Sequence, residues 1–299
     1  MEPHPDIRRM LDMADEYDIS LHDETVEDSR MMMERLSQMA AGQPPGDVET
    51  QDVSIEFEDV EVDARVYDDG DGDALVFYHG GGFVLGGLDT HDQLCRLLAD
   101  ETGLTVVSVD YSLAPEHPFP AAVEDAYGAL RWASARYGDV AVAGDSAGGT
   151  LSAVVSLMAR DRGIPDVSAQ CLLYPATAYM DAMPSRGENA TGYLLEAQDM
   201  LWFVDQYVDS DLMARHPYAF PLQARSLEDV APAFVLTAGF DPLRDEGRAY
   251  AERLEGDGVE VVHSEYDDMI HGFLNMDGLV DAAGEAVEEI ADFLDEHVG

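Results

Sequence analysis

The sequence predicts an α/β protein built around a mostly parallel, buried sheet. Three observations lead there. From residue 74 onward, short apolar runs alternate with helical stretches. The runs are apolar on both faces, as strands covered by helices on each side must be. The chain has 299 residues, 46% of them apolar, which is enough for one large domain with a substantial core.

The elements follow in order. Residues 5–18 and 23–41 read as two acidic, Met-rich amphipathic helices, with Leu11, Met31, Met32, Leu36 and Met39 as apolar-face candidates. Gly42-Gln-Pro-Pro-Gly46 stops the second. Val53–Phe57 and Val60–Tyr67 alternate in polarity and read as a half-buried hairpin. A turn over Asp68–Asp73 follows. The buried runs are Ala74–Tyr78, Leu104–Val109, Val140–Ala143, Ala169–Tyr174, Ala233–Ala238 and Val259–Ser264. Helices fall between and after them, near 90–101, 120–137, 146–162, 242–256 and 280–297. One interval breaks the rhythm: residues 176–230 are far longer than an ordinary connection. They carry an amphipathic stretch near 196–209 and read as a lid or cap, which the N-terminal helices could join.

The charge excludes whole classes of partner. There are 62 acidic residues against 16 basic ones, a net of −46, and every basic residue is arginine. Nucleic acid and anionic lipid surfaces both demand basic patches, so neither fits. A sphere this size at −46 has a gross self-energy of roughly 50 kcal/mol at about 0.1 M salt and roughly 20 kcal/mol at about 1 M. The composition is therefore read as that of a cytoplasmic protein from a salt-in halophile. No run approaches the roughly 20 apolar residues of a membrane span, and residues 1–10 lack the pattern of a secretory signal. Two cysteines, Cys95 and Cys171, give no framework for a disulfide scaffold or a zinc site.

Four segments carry chemistry. Gly144-Asp-Ser146-Ala-Gly148 follows a buried strand and opens a helix, the setting in which small residues let a serine sit exposed on a tight turn. His79-Gly-Gly-Gly82 also follows a buried strand. Its glycines allow backbone N–H groups to point at a developing oxyanion. The other reading, a phosphate cradle, lacks the Lys-Ser/Thr that should follow. A serine nucleophile needs a base, and the base an orienting carboxylate. His271 lies in a loop beyond the Val259–Ser264 strand, where it could reach Ser146. His263 lies within that strand. His4, His22, His216 and His297 fall in peripheral segments and read as surface residues, and His91 and His117 have local structural readings. Asp241 follows the Ala233–Ala238 strand; Asp245, its competitor, falls inside the next helix. Asp69-x-Asp71-x-Asp73 begins like a calcium loop. However, Ala74 stands where such a loop needs glycine and Gly80 where it needs a bidentate glutamate. The Met31–Met33 run reads as cap packing rather than as a pocket wall.

On Tyr78–Val84, Asp110–Pro120, Gly144–Gly149, Asp241–Gly247 and His271–Phe273, the sequence resembles the hormone-sensitive-lipase-type carboxylesterases of the α/β-hydrolase superfamily. These blocks span residues 75–275 in the family's order. The resemblance implies an α/β-hydrolase fold with a helical cap from 1–45 and 176–225, on a catalytic domain of 46–175 and 226–299. It implies a triad of Ser146, Asp241 and His271. It also implies an oxyanion hole from the N–H groups of Gly81, Gly82 and Ala147, with His79 and Gly80 supporting the loop. The substrate is then a short- to medium-chain ester, and no metal or organic cofactor is required. Amidase, deacetylase and long-chain lipase chemistry would use the same groups, and a non-catalytic receptor would need only the pocket. Many members pair through the last sheet edge and helix, 259–297 here, so a homodimer is compatible with the resemblance. One departure is Ser112, where the family usually carries a structural arginine.

Overall fold

The computed structural model describes residues 2–16, 22, 24–58, 60–68, 70, 72–179 and 181–299. Two helices come first, α1 (Pro5–Glu16) and α2 (Val26–Ala40). The remaining ends of the expected helices, at 17, 18 and 23, lie outside the described residues, as do Asp69 and Asp71 of the acidic turn. The hairpin is β1 (Thr50–Phe57) and β2 (Val60–Tyr67). Then come β3 (Ala74–Tyr78), α3 (Asp92–Thr102), β4 (Thr105–Val109), α4 (Ala121–Arg136), β5 (Val140–Asp145), α5 (Ala147–Arg162) and β6 (Gln170–Leu173). The long interval holds α6 (Pro184–Glu188), α7 (Ala197–Tyr207) and α8 (Asp211–Ala214). The chain closes with β7 (Ala233–Phe240), α9 (Arg244–Gly256), β8 (Val261–Ile270) and α10 (Ala282–His297).

All eight strands form one sheet in the order β1-β2-β4-β3-β5-β6-β7-β8. Pairing is parallel from β4 to β8, and only β2 runs against its neighbours. The predicted α/β class is therefore the observed one.

Alternation along each strand divides the core into layers. On β3, Val76 and Tyr78 face α4 and α5, whereas Leu75 and Phe77 face α3 and α10. Leu172 and Val235 pack beneath α5 and α9 in a third cluster with Tyr250 and Leu254. Both cysteines are buried in the α3–α10 layer, Cys95 on α3 and Cys171 on β6. Gly103 and Gly163 close α3 and α5 in the left-handed conformation, each capping the last turn with its N–H.

The largest departure from expectation is β8. The apolar run ends near Ser264, yet the strand continues to Ile270. This strand is at the sheet edge, so one face meets solvent and charged residues alternate with packed ones. A reading that looks for unbroken apolar runs stops too early there. The extension follows a register shift between Ala238 and Phe240 and pairs Phe240 with Ile270.

The N-terminal helices pack onto the sheet's carboxyl edge. Ile7 and Leu11 of α1 are buried with Met269 and Phe273. On α2, the Arg30 guanidinium donates to the carbonyls of Val84 (2.8 Å) and Ala114 (3.0 Å) and pairs with Glu116. Met33 packs against the α4–α5 layer, while Met31 is largely exposed. Ser112 donates its N–H to Asp125 at 2.8 Å, which anchors the loop at the position of the family's arginine.

Candidate active site

Four strands deliver the predicted residues to one edge. The glycine loop follows β3, Ser146 follows β5, Asp241 follows β7 and His271 follows β8. In a parallel sheet these are all carboxyl ends, which is where α/β proteins place their sites.

Ser146 sits between β5 and α5 with φ 54° and ψ −117°. A non-glycine residue there costs of order 1–3 kcal/mol. The turn survives because its surroundings over-determine it. Ser146 donates its N–H to Leu173 O at 2.8 Å, and its carbonyl accepts Thr150 N–H at 3.0 Å. Two residues on, a Cβ on Gly148 would overlap the Tyr78 carbonyl, so helix and strand can pack this closely only over glycine. Ala147, the first residue of α5, has an N–H with no acceptor inside the helix.

The His271 ring places Nδ1 2.7 Å from Asp241 Oδ2. Asp241 is wholly buried, and its Oδ1 accepts the Leu243 N–H at 2.7 Å. Asn189 of the cap segment donates to the Asp241 carbonyl at 3.0 Å. The competitor Asp245 is occupied elsewhere, accepting from Ser185 N–H and Arg244 Nε, each at 2.8 Å. Tyr174 meets the His271 ring edge-on at 4.8 Å. The structure joins His271 to Asp241 directly. Among the described residues it draws no hydrogen bond between His271 and Ser146.

The glycine loop bends back on itself, with Leu85 N–H donating to Gly81 O at 2.8 Å. Gly82 has φ +62°, and a Cβ on it would overlap the Phe203 ring of α7. His79 lies beneath the loop. Its ring stacks on Tyr111 at 4.2 Å, and Nδ1 is 2.8 Å from Gly80 O. Burial and the neighbouring His91 pull its pKa down to about 3, so the ring is neutral. Gly80 donates its N–H to Asp145 Oδ1 at 2.8 Å.

Asp145, the residue before the serine, was not singled out by sequence reasoning. It is buried, and its carboxylate also meets His91 Nε2 (3.0 Å) and Asn275 Nδ2 (3.3 Å). Burial pushes its pKa up, but the adjoining His91, through charge and hydrogen bond, holds it below the usual carboxylate range. One buried carboxylate thus ties the glycine loop to the serine turn. Its sequence signal is a charged residue ending an otherwise apolar strand, which burial forbids unless it is paired. His91 belongs to this network rather than to its own loop alone. His22 and His297, expected at the surface, make specific contacts: His22 Nδ1 lies 2.8 Å from Asp199, and His297 Nδ1 2.8 Å from Phe293 O.

Above Ser146 is a cavity of about 70 Å³. Gly82, Phe83, Ser146 and Ala147 form its floor, and Met200, Phe203, Val204 and Tyr207 of α7 its roof. Tyr207 stacks on Phe83 at 3.8 Å. None of Met31–Met33 lines it. Arg186, half-buried, and Glu246, wholly buried, do, as a pair with 2.6 Å between Nη2 and Oε2. Burial pushes the Glu246 carboxyl up to about 7, against the opposing pull of Arg186. Sequence reasoning missed both, since they lie 60 residues apart with no local pattern to join them.

A strained serine between a central strand and a helix, a glycine loop one strand away and an Asp–His pair at the ends of the last two strands define an α/β-hydrolase. Comparison with known proteins agrees. The model of the alpha/beta hydrolase fold matches residues 75–275, and the chain belongs to that family. It is similar to a carboxylic ester hydrolase, LipN, of Mycobacterium tuberculosis, at 44% identity over 92% of this chain and 77% of that one. It is also similar to an ethyl acetate hydrolase of Pseudomonas putida, at 38% identity over 76% of this chain and 74% of that one. Among solved structures, the hyperthermophilic esterase of the archaeon Pyrobaculum calidifontis superposes with a TM-score of 0.91 at 42% identity, covering 98% and 97% of the two chains. No described helix is long and apolar enough to cross a membrane.

Proposed function

We propose that the chain is a serine carboxylesterase for short-chain esters, with Ser146 as nucleophile, His271 as base and Asp241 as its orienter. The observation that carries the reading is Ser146 on its positive-φ turn, at the floor of a small apolar cavity, with the hydrogen-bonded Asp241–His271 pair on the same sheet edge. Asp241 accepts the Nδ1 proton and so leaves Nε2 free to act as base. Ser146 attacks the ester carbonyl as His271 takes its proton. The N–H groups of Gly81, Gly82 and Ala147 hold the oxyanion, each contributing about 3 kcal/mol. His271 protonates the departing alcohol, and water repeats the sequence on the acyl-enzyme.

Size supports a short acyl group. At about 10–15 Å³ per water, 70 Å³ holds about five to seven water molecules. The name of the ethyl acetate hydrolase points the same way. We further read residues 1–45 and 176–225 as the cap, and the net charge of −46 as adaptation to a salt-rich cytoplasm.

The test is hydrolysis of p-nitrophenyl esters with acyl chains from about two to about sixteen carbons, at about 3 M KCl. Turnover peaking at short chains and abolished by Ser146→Ala is expected. No turnover on any chain, with the protein folded, would move the reading to amides or to a receptor.

A further inference from the structure

The roof and floor of the cavity are apolar, yet a guanidinium sits in its wall. Arg186, on cap helix α6, spends two of its three nitrogens on fixed partners. Its Nε and Nη2 both donate to Glu246 Oε2, at 3.1 and 2.6 Å, and Nη2 also donates to Ala178 O at 2.9 Å. The other glutamate oxygen, Oε1, accepts the Ala178 N–H at 3.1 Å. Nη1 has no protein partner among the described residues. The fork is therefore immobilised through one side, and a donor is left over on the other, on a residue that lines the same cavity as Ser146. Holding an ion pair against an apolar wall is costly, and a hydrophobic pair of similar volume serves packing as well or better. The arrangement asks for a purpose beyond packing.

We propose that Arg186 is a specificity residue that reads a neutral acceptor oxygen on the ester through Nη1. It favours substrates with an ether, keto or hydroxyl oxygen a few atoms from the scissile carbonyl over plain alkyl esters. The oxygen must be near, because the cavity is only about 70 Å³. It must be neutral, because the chain's net charge of −46 repels anions. This rests on the esterase reading above and adds the substrate class.

The test pairs two esters of nearly equal shape, p-nitrophenyl butyrate and p-nitrophenyl methoxyacetate, in which an ether oxygen replaces one methylene. The quantity read is the ratio of their kcat/KM values, methoxyacetate over butyrate, in wild type and in Arg186→Met. Comparing enzymes cancels the different intrinsic reactivity of the two esters, and loosening of the cap affects both alike. The Met variant is expected to lower the ratio about tenfold, the scale of one hydrogen bond to a charged donor with partial access to water. Arg186→Lys keeps the pairing with Glu246 but lacks the fork. It should lower the ratio similarly, and it carries the test if Arg186→Met fails to fold. Equal ratios in wild type and variants would reduce Arg186 to a cap tether and overturn the proposal. Failure of the wild type to hydrolyse either ester would instead remove the esterase reading, and this inference with it.

Discussion

Asp241→Asn keeps the size and shape of a buried side chain and changes only what it offers to its neighbours. In the native site Oδ1 accepts the Leu243 N–H and Oδ2 accepts the proton on His271 Nδ1, each at 2.7 Å. An asparagine can satisfy only one of these as an acceptor. Leu243 sits two residues away on the same turn and keeps the amide oxygen, so the NH2 group faces His271. The imidazole then accepts at Nδ1 and carries its proton on Nε2, where it cannot take the proton from Ser146. The wrong tautomer in such a triad costs about 10⁴ in kcat, or roughly 5 kcal/mol of transition-state stabilisation. The assay is kcat on p-nitrophenyl acetate at about 3 M KCl, with circular dichroism to establish folding. Asp245→Asn is the control. It weakens the links to Ser185 and Arg244 and should cost about 1–2 kcal/mol of stability with kcat within about threefold of wild type. A folded Asp241→Asn that keeps more than about a tenth of wild-type kcat would refute the assignment.

Four other outcomes are expected. Gly82→Ala, at φ +62° and against the Phe203 ring, should lower kcat/KM about 10²-fold by displacing the donor loop, with partial recovery when Phe203→Ala is added; an effect below about threefold would count against the loop's role. Glu246 has a folded pKa pushed up to about 7 from 4.5, so it binds its proton more tightly when folded, and the stability this gives is lost as pH rises through 7. Glu246→Gln should therefore gain on wild type by up to about 3 kcal/mol between about pH 4.5 and 8 in urea midpoints, whereas a pH-independent difference would contradict the shift. Asp145 behaves oppositely: its depressed pKa contributes stability above about pH 4 that disappears on further acidification, so the advantage of wild type over Asp145→Asn should shrink there in thermal melts. Lowering KCl below about 0.5 M should reduce both melting temperature and activity, and an unchanged melting temperature without salt would sink the screening argument.

The parts of this molecule legible in the sequence are those with local causes. Val76, Phe77 and their neighbours announce a strand because burial on both faces demands an unbroken apolar run. Ser146 announces a turn because Gly144 and Gly148 flank it at a spacing that only tight packing requires. The extension of β8 was hidden because an edge strand alternates, and Glu265–Asp268 looked like the end of the run. Asp145, Arg186 and Glu246 were hidden for another reason. Their meaning lies in partners contributed by other elements: Gly80 and His91 for the first, each other for the remaining two. Asp145 leaves one trace, a charge ending an apolar strand, but nothing in the linear pattern separates Glu246 from the many carboxylates that merely face solvent.

The two cysteines have a practical consequence. Cys95 and Cys171 lie in one layer of the core, one on a helix and one on a central strand, and burial raises both thiols far above their ordinary pKa. A thiol reagent can modify neither until its surroundings open. The protein thus carries two internal clocks whose labelling rates report the opening of α3 against the opening of the sheet. If the two residues label together, the domain opens as one cooperative unit; if Cys95 labels first, the helix layer peels from a sheet that remains intact.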